Sequence, residues 1–423
     1  LGLPRFLLRL LPLLAVVLID SISYTIVVPV LSDALLSDKP VLMQAASEDT
    51  RYIVYGIALG IFEVMVLYMA PVLGEISDRT GRRAVLLACM AGAVLSFVLI
   101  GGALLTNLVV LLLLGRVLGG ATAGSQPVAQ AAAVDISTDD RKPLALSLAL
   151  LASSLGFVAG PLIGGVMSWD DSPGVSDLVI PVGVTAMLAL AGTALVFFGY
   201  RDTRRQPAER GLGKIDLWMG VRGFRKALAD TAIRRLILVF ALMQFAWGTY
   251  FVFLPSLLYE RFDLDTSVVT VMLALLGIGF CLAYGVVLPW LTKYWSARSL
   301  TTWSLWVTAV LMAAAVFWPD ITVAWAVGIP MAISVSIAFG AILTQFSDAV
   351  DRESQGWILG ISGSVNALAW AVSSITAGFL SAVSYVAPFA LAVLTLVGSA
   401  ALATLPLRRR TADLDSHSKE NRQ

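Results

Sequence analysis

Charge is scarce in this chain. Only 13% of its 423 residues are Asp, Glu, Lys or Arg, where ordinary soluble domains carry roughly a quarter. Histidine is rarer still. The single one, His417, stands near the C-terminus, so no H-x-x-x-H or H-E-x-x-H pair and no Ser/His constellation exists in the apolar body. No enzyme is expected on that ground. The two cysteines, Cys89 and Cys281, fall in separate apolar segments and imply no disulfide framework. Alternating segments of about ten residues, the mark of a membrane barrel, are missing as well. A cleavable signal is not expected, because the run after Arg5 and Arg9 is too long, and at Asp20 too polar, for an h-region.

What the chain does have is hydrocarbon. Hydrophobic residues make up 58% and the mean hydropathy is +0.86. A spanning helix needs about 20 apolar residues, and twelve stretches qualify: 10–36, 52–74, 84–105, 108–134, 143–168, 178–200, 236–259, 267–290, 299–318, 321–346, 355–382 and 385–407. Little sequence remains for a soluble domain. With the N-terminus inside, 25 of the 29 Lys and Arg residues fall on the inner side, Lys39, Arg51 and Arg261 fall outside, and Arg116 lies within a span. This asymmetry predicts a multi-pass protein with both termini cytoplasmic.

The longest interior loop carries ten Lys and Arg residues and divides the spans six and six. The expected organisation is an N-terminal six-helix bundle at 1–200, a cytoplasmic linker at 201–235, a C-terminal six-helix bundle at 236–407 and a cytoplasmic tail at 408–423. Within the linker, Gly220–Ala229 reads equally as an interfacial helix on anionic lipid or as a solvated connector. A trace of repetition links the halves: Tyr24-Thr-Ile-Val-Val-Pro29 in the first span has the Tyr-to-Pro spacing of Tyr250-Phe-Val-Phe-Leu-Pro255 in the seventh. Two such halves place a binding site near the bilayer midplane between them.

Three motifs are more specific than composition. Between the second and third spans runs Gly74-Glu75-Ile76-Ser77-Asp78-Arg79-Thr80-Gly81-Arg82-Arg83, a dense charge cluster with hydrocarbon on both sides. The fifth span contains Gly156-x-x-x-Gly160-Pro161-x-x-Gly164-Gly165, with glycines along one helix face that admit another backbone closely. Pro161 frees a carbonyl and can bend the helix. The fourth span contains Leu112-x-x-x-Arg116-x-x-Gly119-Gly120. Together these resemble the major facilitator superfamily, and the fifth-span string resembles the antiporter signature of its drug:proton exporters, such as tetracycline efflux proteins and vesicular amine transporters. The resemblance implies an all-α polytopic membrane protein, twelve helices in two pseudo-symmetric bundles, in a bacterial-type inner membrane. It implies a monomer that works on a small-molecule substrate in a lipid bilayer, with a proton as coupling ion, no cofactor or metal, and no nucleic acid. It also implies gating roles for Gly74, Asp78, Arg79, Gly81, Arg82, Arg83, Gly156, Gly160, Pro161, Gly164 and Gly165. Asp78 is expected at the head of the eleventh helix near Ser354–Gly356, with the arginines paired to Asp135, Asp139, Asp140, Asp348 or Asp351 or simply anchoring topology.

Arg116 is costly in hydrocarbon unless paired or hydrated, so it should face the bundle interior. Its expected partners are Asp20, in a stretch resembling the family's first-helix L-D motif, and Glu63, midway along the second span. At 100° per residue Glu63 shares a face with Gly56, Ala70 and Gly74, which predicts a tightly packed face. Burial and a nearby guanidinium act oppositely on a carboxylate's proton affinity, so Asp20 and Glu63, with Arg116, are the candidate proton-coupling groups. Either acid can alternatively serve only to neutralise Arg116. For substrate, Tyr24, Gln130, Gln244, Trp247, Tyr250, Phe251, Asn366 and Trp370 are candidates for a mostly apolar pocket with a few orienting groups. Acids with aromatics favour an amphipathic cation, zwitterion or neutral compound. An exporter by antiport is the favoured reading. A proton-coupled importer of a nutrient or siderophore, and a non-transporting sensor or scaffold, are the alternatives.

Overall fold

The computed structural model describes residues 3–138, 141–166, 175–202, 228–229, 231–351 and 355–405. Most of the linker, with the segment weighed as an interfacial helix, and the tail 408–423 therefore lie outside the described residues. Twelve helices long and apolar enough to span follow one another: Phe6–Leu36, Glu48–Thr80, Arg82–Thr106, Val109–Asp135, Leu144–Gly164, Asp177–Gly199, Ile233–Phe262, Thr266–Leu291, Ala297–Phe317, Ile321–Asp348, Trp357–Ser381 and Ala387–Thr404. These are called the first to twelfth spans below. No strand occurs among the described residues. The main departure from the sequence expectation is length. The second span begins at Glu48 and its helix continues through the charged loop to Thr80, because Ser47 caps the start by accepting from the Thr50 N–H, and nothing before Gly81 breaks the helix.

Two spans are broken where proline dictates. The first divides into Leu3–Thr25 and Val27–Leu36, and the fourth into Val109–Thr122 and Ser125–Asp135. In each case the break lies about four residues before a proline, Pro29 and Pro127, whose missing N–H and ring disturb the preceding turn. The eighth span carries a π turn at Ala283–Val287, just before and overlapping the reach of Pro289. The repeated Tyr-to-Pro spacing does not carry the break with it. Pro255 lies inside the continuous helix Thr231–Phe262.

The glycines of the fifth span face the first. A Cβ added at Gly156 would run into Ser21, and one at Gly160 into Thr25 and the Ile22 carbonyl. Gly164 lies 3.2 Å from Pro29 by the same construction. Thr25 Oγ1 donates to the Gly156 carbonyl at 3.2 Å across this crossing. Gly277 of the eighth span packs on the backbone of Phe157, so the fifth span also touches the other half.

The halves are locked together at the end where the second span starts. Tyr52 Oη donates to Glu260 Oε1 at 2.9 Å and accepts from Ser256 Oγ at 3.1 Å. Tyr55 Oη donates to the Val252 carbonyl at 2.7 Å and its ring meets Phe253 edge-on. Gly56 and Gly378 bring the second and eleventh spans into backbone contact. At the other end of the same two spans, a Cβ at Gly74, Gly360 or Gly363 would meet nothing within 4 Å. This corrects the expectation that the whole Gly56–Gly74 face of the second span is tightly packed: Gly56 is, Gly74 is not.

Candidate functional site

A cavity of about 230 Å³ opens between the halves, lined by Asp20, Tyr24, Phe62, Glu63, Arg116, Asn366 and Trp370, with Ser21, Ser96, Thr122 and Gln126 among the smaller polar groups. The first, second and fourth spans supply every charged side chain. Each reaches the cavity for a local reason. Asp20 stands four residues before Tyr24, one turn apart on the same face. Glu63 is 6% exposed and Arg116 3%, each midway along its helical segment.

Arg116 does not pair with either acid. Its Nε donates to the Ala58 carbonyl at 3.0 Å and its guanidinium lies over the Phe62 ring, 4.3 Å from the centroid. Among the described residues no ion pair joins it to Asp20 or Glu63. This corrects the expected pairing. The carbonyl and the π face replace a carboxylate as the guanidinium's support, and its terminal nitrogens have no protein acceptor among the described residues. Glu63 lies within electrostatic reach of Tyr24 and Arg116. Asp20 accepts from Ser125 Oγ at 2.8 Å.

Around Asp20 the structure adds polar groups that the sequence reading missed. Gln126 Nε2 donates to Ser153 Oγ at 3.1 Å, and Ser153 shares a 2.9 Å hydrogen bond with Ser21. Ser125 and Gln126 follow the break at Ala123–Gly124. Projecting a continuous helix from Arg116 selects Gln130, but the break resets the phase, so Gln126 lines the cavity and Gln130 does not. Pro127 was the available signal.

The C-terminal half contributes an aromatic wall. Tyr24 is 5.7 Å from Trp370 and 5.8 Å from Phe62 between ring centroids. Trp370 is followed by Phe251 at 6.1 Å, and Trp247 stacks on Tyr250 at 6.0 Å. Of the eight substrate candidates, Tyr24, Asn366 and Trp370 line the cavity. Gln244 bonds to Asn366 from behind, and Trp247, Tyr250 and Phe251 form the layer outside it, each no more than 5% exposed. The Trp370 indole N–H is buried with no hydrogen-bond partner among the described residues.

The charged loop is organised mostly within its own half. Arg79 pairs with Glu75 one turn back. Arg82 bridges Asp78 at 2.7 Å and Asp135 at 3.0 Å, and donates to Ser77 Oγ at 2.6 Å. Arg83 donates to the Phe197 carbonyl and lies over that ring. Gly81, at φ +102°, makes the turn into the third span, where the backbone N–H groups of Arg82 and Arg83 are met by the Asp202 carboxylate. A carboxylate at a helix N-terminus is favoured, but Asp202 rather than a loop residue fills this place. Of the acids expected for the arginines, Asp135 pairs with Arg82, while Asp139 and Asp140 lie outside the described residues. Of the segment Ser354–Gly356 where Asp78 is expected, Ser354 lies outside them too. Gly165 belongs to the fifth-span helix Lys142–Val166 and Pro161 is buried within it.

The model of the family described as Major Facilitator Superfamily matches residues 13–374. The chain is 27% identical over 415 residues to the class C tetracycline resistance protein of Escherichia coli, covering 95% of this chain and 97% of that one. It is 28% identical to the class D tetracycline resistance protein of Salmonella ordonez, over 68% of each. Among solved structures it is similar to the human organic anion transporter MFSD10 (TETRAN), with a TM-score of 0.70 at 17% identity over 94% of this chain and 99% of that one. A bacterial homologue of the human lysosomal transporter Spinster, inward-facing and unoccupied, gives a TM-score of 0.72 at 17% identity over 95% and 96% of the two chains.

Proposed function

The chain belongs to the Major Facilitator Superfamily and is a secondary transporter, and from that premise we propose that it is a proton-coupled antiporter exporting a small amphipathic compound. The observation that carries the proposal is the cavity itself. Two carboxylates and a guanidinium that are not paired with one another share it with an aromatic wall. Charges neutralised by each other would have nothing to exchange. Here Asp20 and Glu63 remain available to a proton or to a substrate cation, and Arg116 to a substrate oxygen. The relatives named as tetracycline resistance proteins support export of an amphipath over uptake.

Orientation follows from the excess of Lys and Arg on the side of the charged loop. It places that loop and both termini in the cytoplasm of a bacterial-type inner membrane, and the Tyr52–Glu260 end outside. The structure is then closed outward. In the cycle, protonation of Asp20 or Glu63 from outside accompanies substrate release, and deprotonation on the inner side lets substrate bind again. Proton and substrate must favour different states of the halves, since a ligand indifferent to the two shifts nothing. No bond of the substrate is made or broken, so the protein is not an enzyme.

The test is transport in proteoliposomes with an internal pH dye, presenting cationic, zwitterionic and neutral amphipaths under an imposed gradient. Proton flux opposite to the compound, lost in Asp20→Asn or Glu63→Gln, is the expected result. Flux in the same direction would make the protein a symporter and overturn the reading.

A further inference from the structure

The mechanism above leaves one buried carboxylate unused. Asp33 stands near the outer end of the first span, in the segment Val27–Leu36, and is 2% exposed. Its Oδ2 is buried with no hydrogen-bond partner, and no cation pairs with it among the described residues. The groups around it come from both halves. The hydroxyls of Thr266, at the start of the eighth span, and of Ser37 lie within hydrogen-bonding reach of its carboxylate, and Tyr259 of the seventh span lies beside it, hydrogen-bonded to Thr266 at 3.1 Å. Of the charged groups on the packed elements, those that act on it or on Tyr259 are acids, Asp177 at the head of the sixth span and Asp265 at the N-cap position of the eighth. The outer-end cations of these elements are engaged elsewhere, Arg261 donating to the Val316 carbonyl and Arg51 acting on Glu48. The second and fifth spans bring no charged group into its electrostatic surroundings.

An ionised carboxylate buried in this way has one oxygen without a donor and no counter-charge beside it, which is a costly state that a bound proton removes. Asp33 is also sealed only while the halves are together. Separation of the seventh and eighth spans from the first would admit water to it. We propose that Asp33 is a further proton-binding site, separate from the cavity acids, which takes a proton from the outer solution as the halves close and returns it as they open. The proposal rests on the alternating-access reading above. Because the proton goes back to the side it came from, Asp33 moves no charge across the membrane. It makes the balance between closed and open outer faces depend on external acidity, before any substrate is bound.

The experiment places spin labels at Lys39→Cys and Val383→Cys, exposed outer positions of the two halves, with Cys89 and Cys281 changed to alanine, in lipid nanodiscs. The distance distribution is followed from pH 5 to pH 8 in an Asp20→Asn/Glu63→Gln background, so that the cavity acids cannot contribute. The expected result is a closed-to-open ratio that rises by up to about tenfold per pH unit of acidification. Asp33→Asn, and Asp33→Ser as a second neutral variant, should remove the slope and hold the outer face closed. Glu260→Gln, which alters a carboxylate elsewhere on the seam, should keep it. A slope absent from the background, or one that survives both Asp33 variants, overturns the proposal. Antiport is read separately from wild-type proton flux. Flux without an Asp33-dependent slope fails this site alone, and a slope without flux fails the antiport reading alone.

Discussion

The two halves share a six-span plan and divide the labour unequally. The N-terminal half brings Asp20, Glu63 and Arg116 to the cavity, and the break in its fourth span sets Gln126 in the lining beside them and Ser125 against Asp20. The C-terminal half brings Asn366 and Trp370, with Gln244, Trp247, Tyr250 and Phe251 behind them, and no charge. One half therefore carries the groups whose state changes, while the other presents a surface of fixed character. A coupled transporter requires both, because a site that only titrates has no grip on an apolar body, and a site that only packs has no response to a gradient.

Several substitutions would break or sharpen this contrast. The largest effect is expected from the charged half. Asp20→Asn or Glu63→Gln should lower gradient-driven flux on the order of 100-fold, the upper range of a coupling free energy between two sites, while equilibrium exchange of labelled substrate continues. Retained gradient-driven flux in both single variants would remove the asymmetry. Next come the glycines on which that half is built. Gly156→Leu or Gly160→Val forces a side chain into Ser21 or Thr25 and should cost about 1–3 kcal/mol or more, read as a lowered melting temperature together with lost flux.

Arg116→Gln offers a sharper comparison. Breaking a buried ion pair costs about 3–5 kcal/mol because a charge is orphaned. Here no carboxylate among the described residues is ion-paired with the guanidinium, so the loss in thermal stability should fall clearly below that, while substrate affinity weakens. In the C-terminal half, Trp370→Ala should weaken substrate binding by about 1 kcal/mol, the order of a lost aromatic contact, with the ratio of protons to substrate unchanged. The smallest effect separates two neighbours. Gln126→Ala should shift affinity a few-fold, about the worth of one hydrogen bond, and Gln130→Ala should leave transport as it was.

The sequence made the spans, the family and the three central charges legible because hydropathy and a short motif are properties of contiguous residues. What it concealed depends on helix phase and on partners distant in the chain. Gln130 is selected only when 100° per residue is carried from Arg116 across the break at Ala123–Gly124. Arg116 was assigned acids because charge suggests charge, whereas a backbone carbonyl and Phe62, one turn beyond Ala58 on the same neighbouring helix, leave no mark in composition. Asp202, at the foot of the third span, and Asp33, among hydroxyls from the other half, become visible only when remote segments are brought together. The seventh-span aromatics were candidates by residue type, and burial, which is set by neighbours, placed them one layer back.

The crossing of Gly56 and Gly378 also has a mechanical meaning. The second span is 33 residues long, about 50 Å at 1.5 Å per residue, and Gly56 lies only about 12 Å from its outer end. If the span tilts by roughly 10° about that point, the outer tip travels about 2 Å and the inner tip about 6 Å. The inner mouth can widen with little disturbance outside, like a pair of tongs hinged near one end. To open the outer mouth, the hinge itself must come apart, and the two backbones with it. The same contact is thus a fulcrum for one half of the cycle and an obstacle in the other.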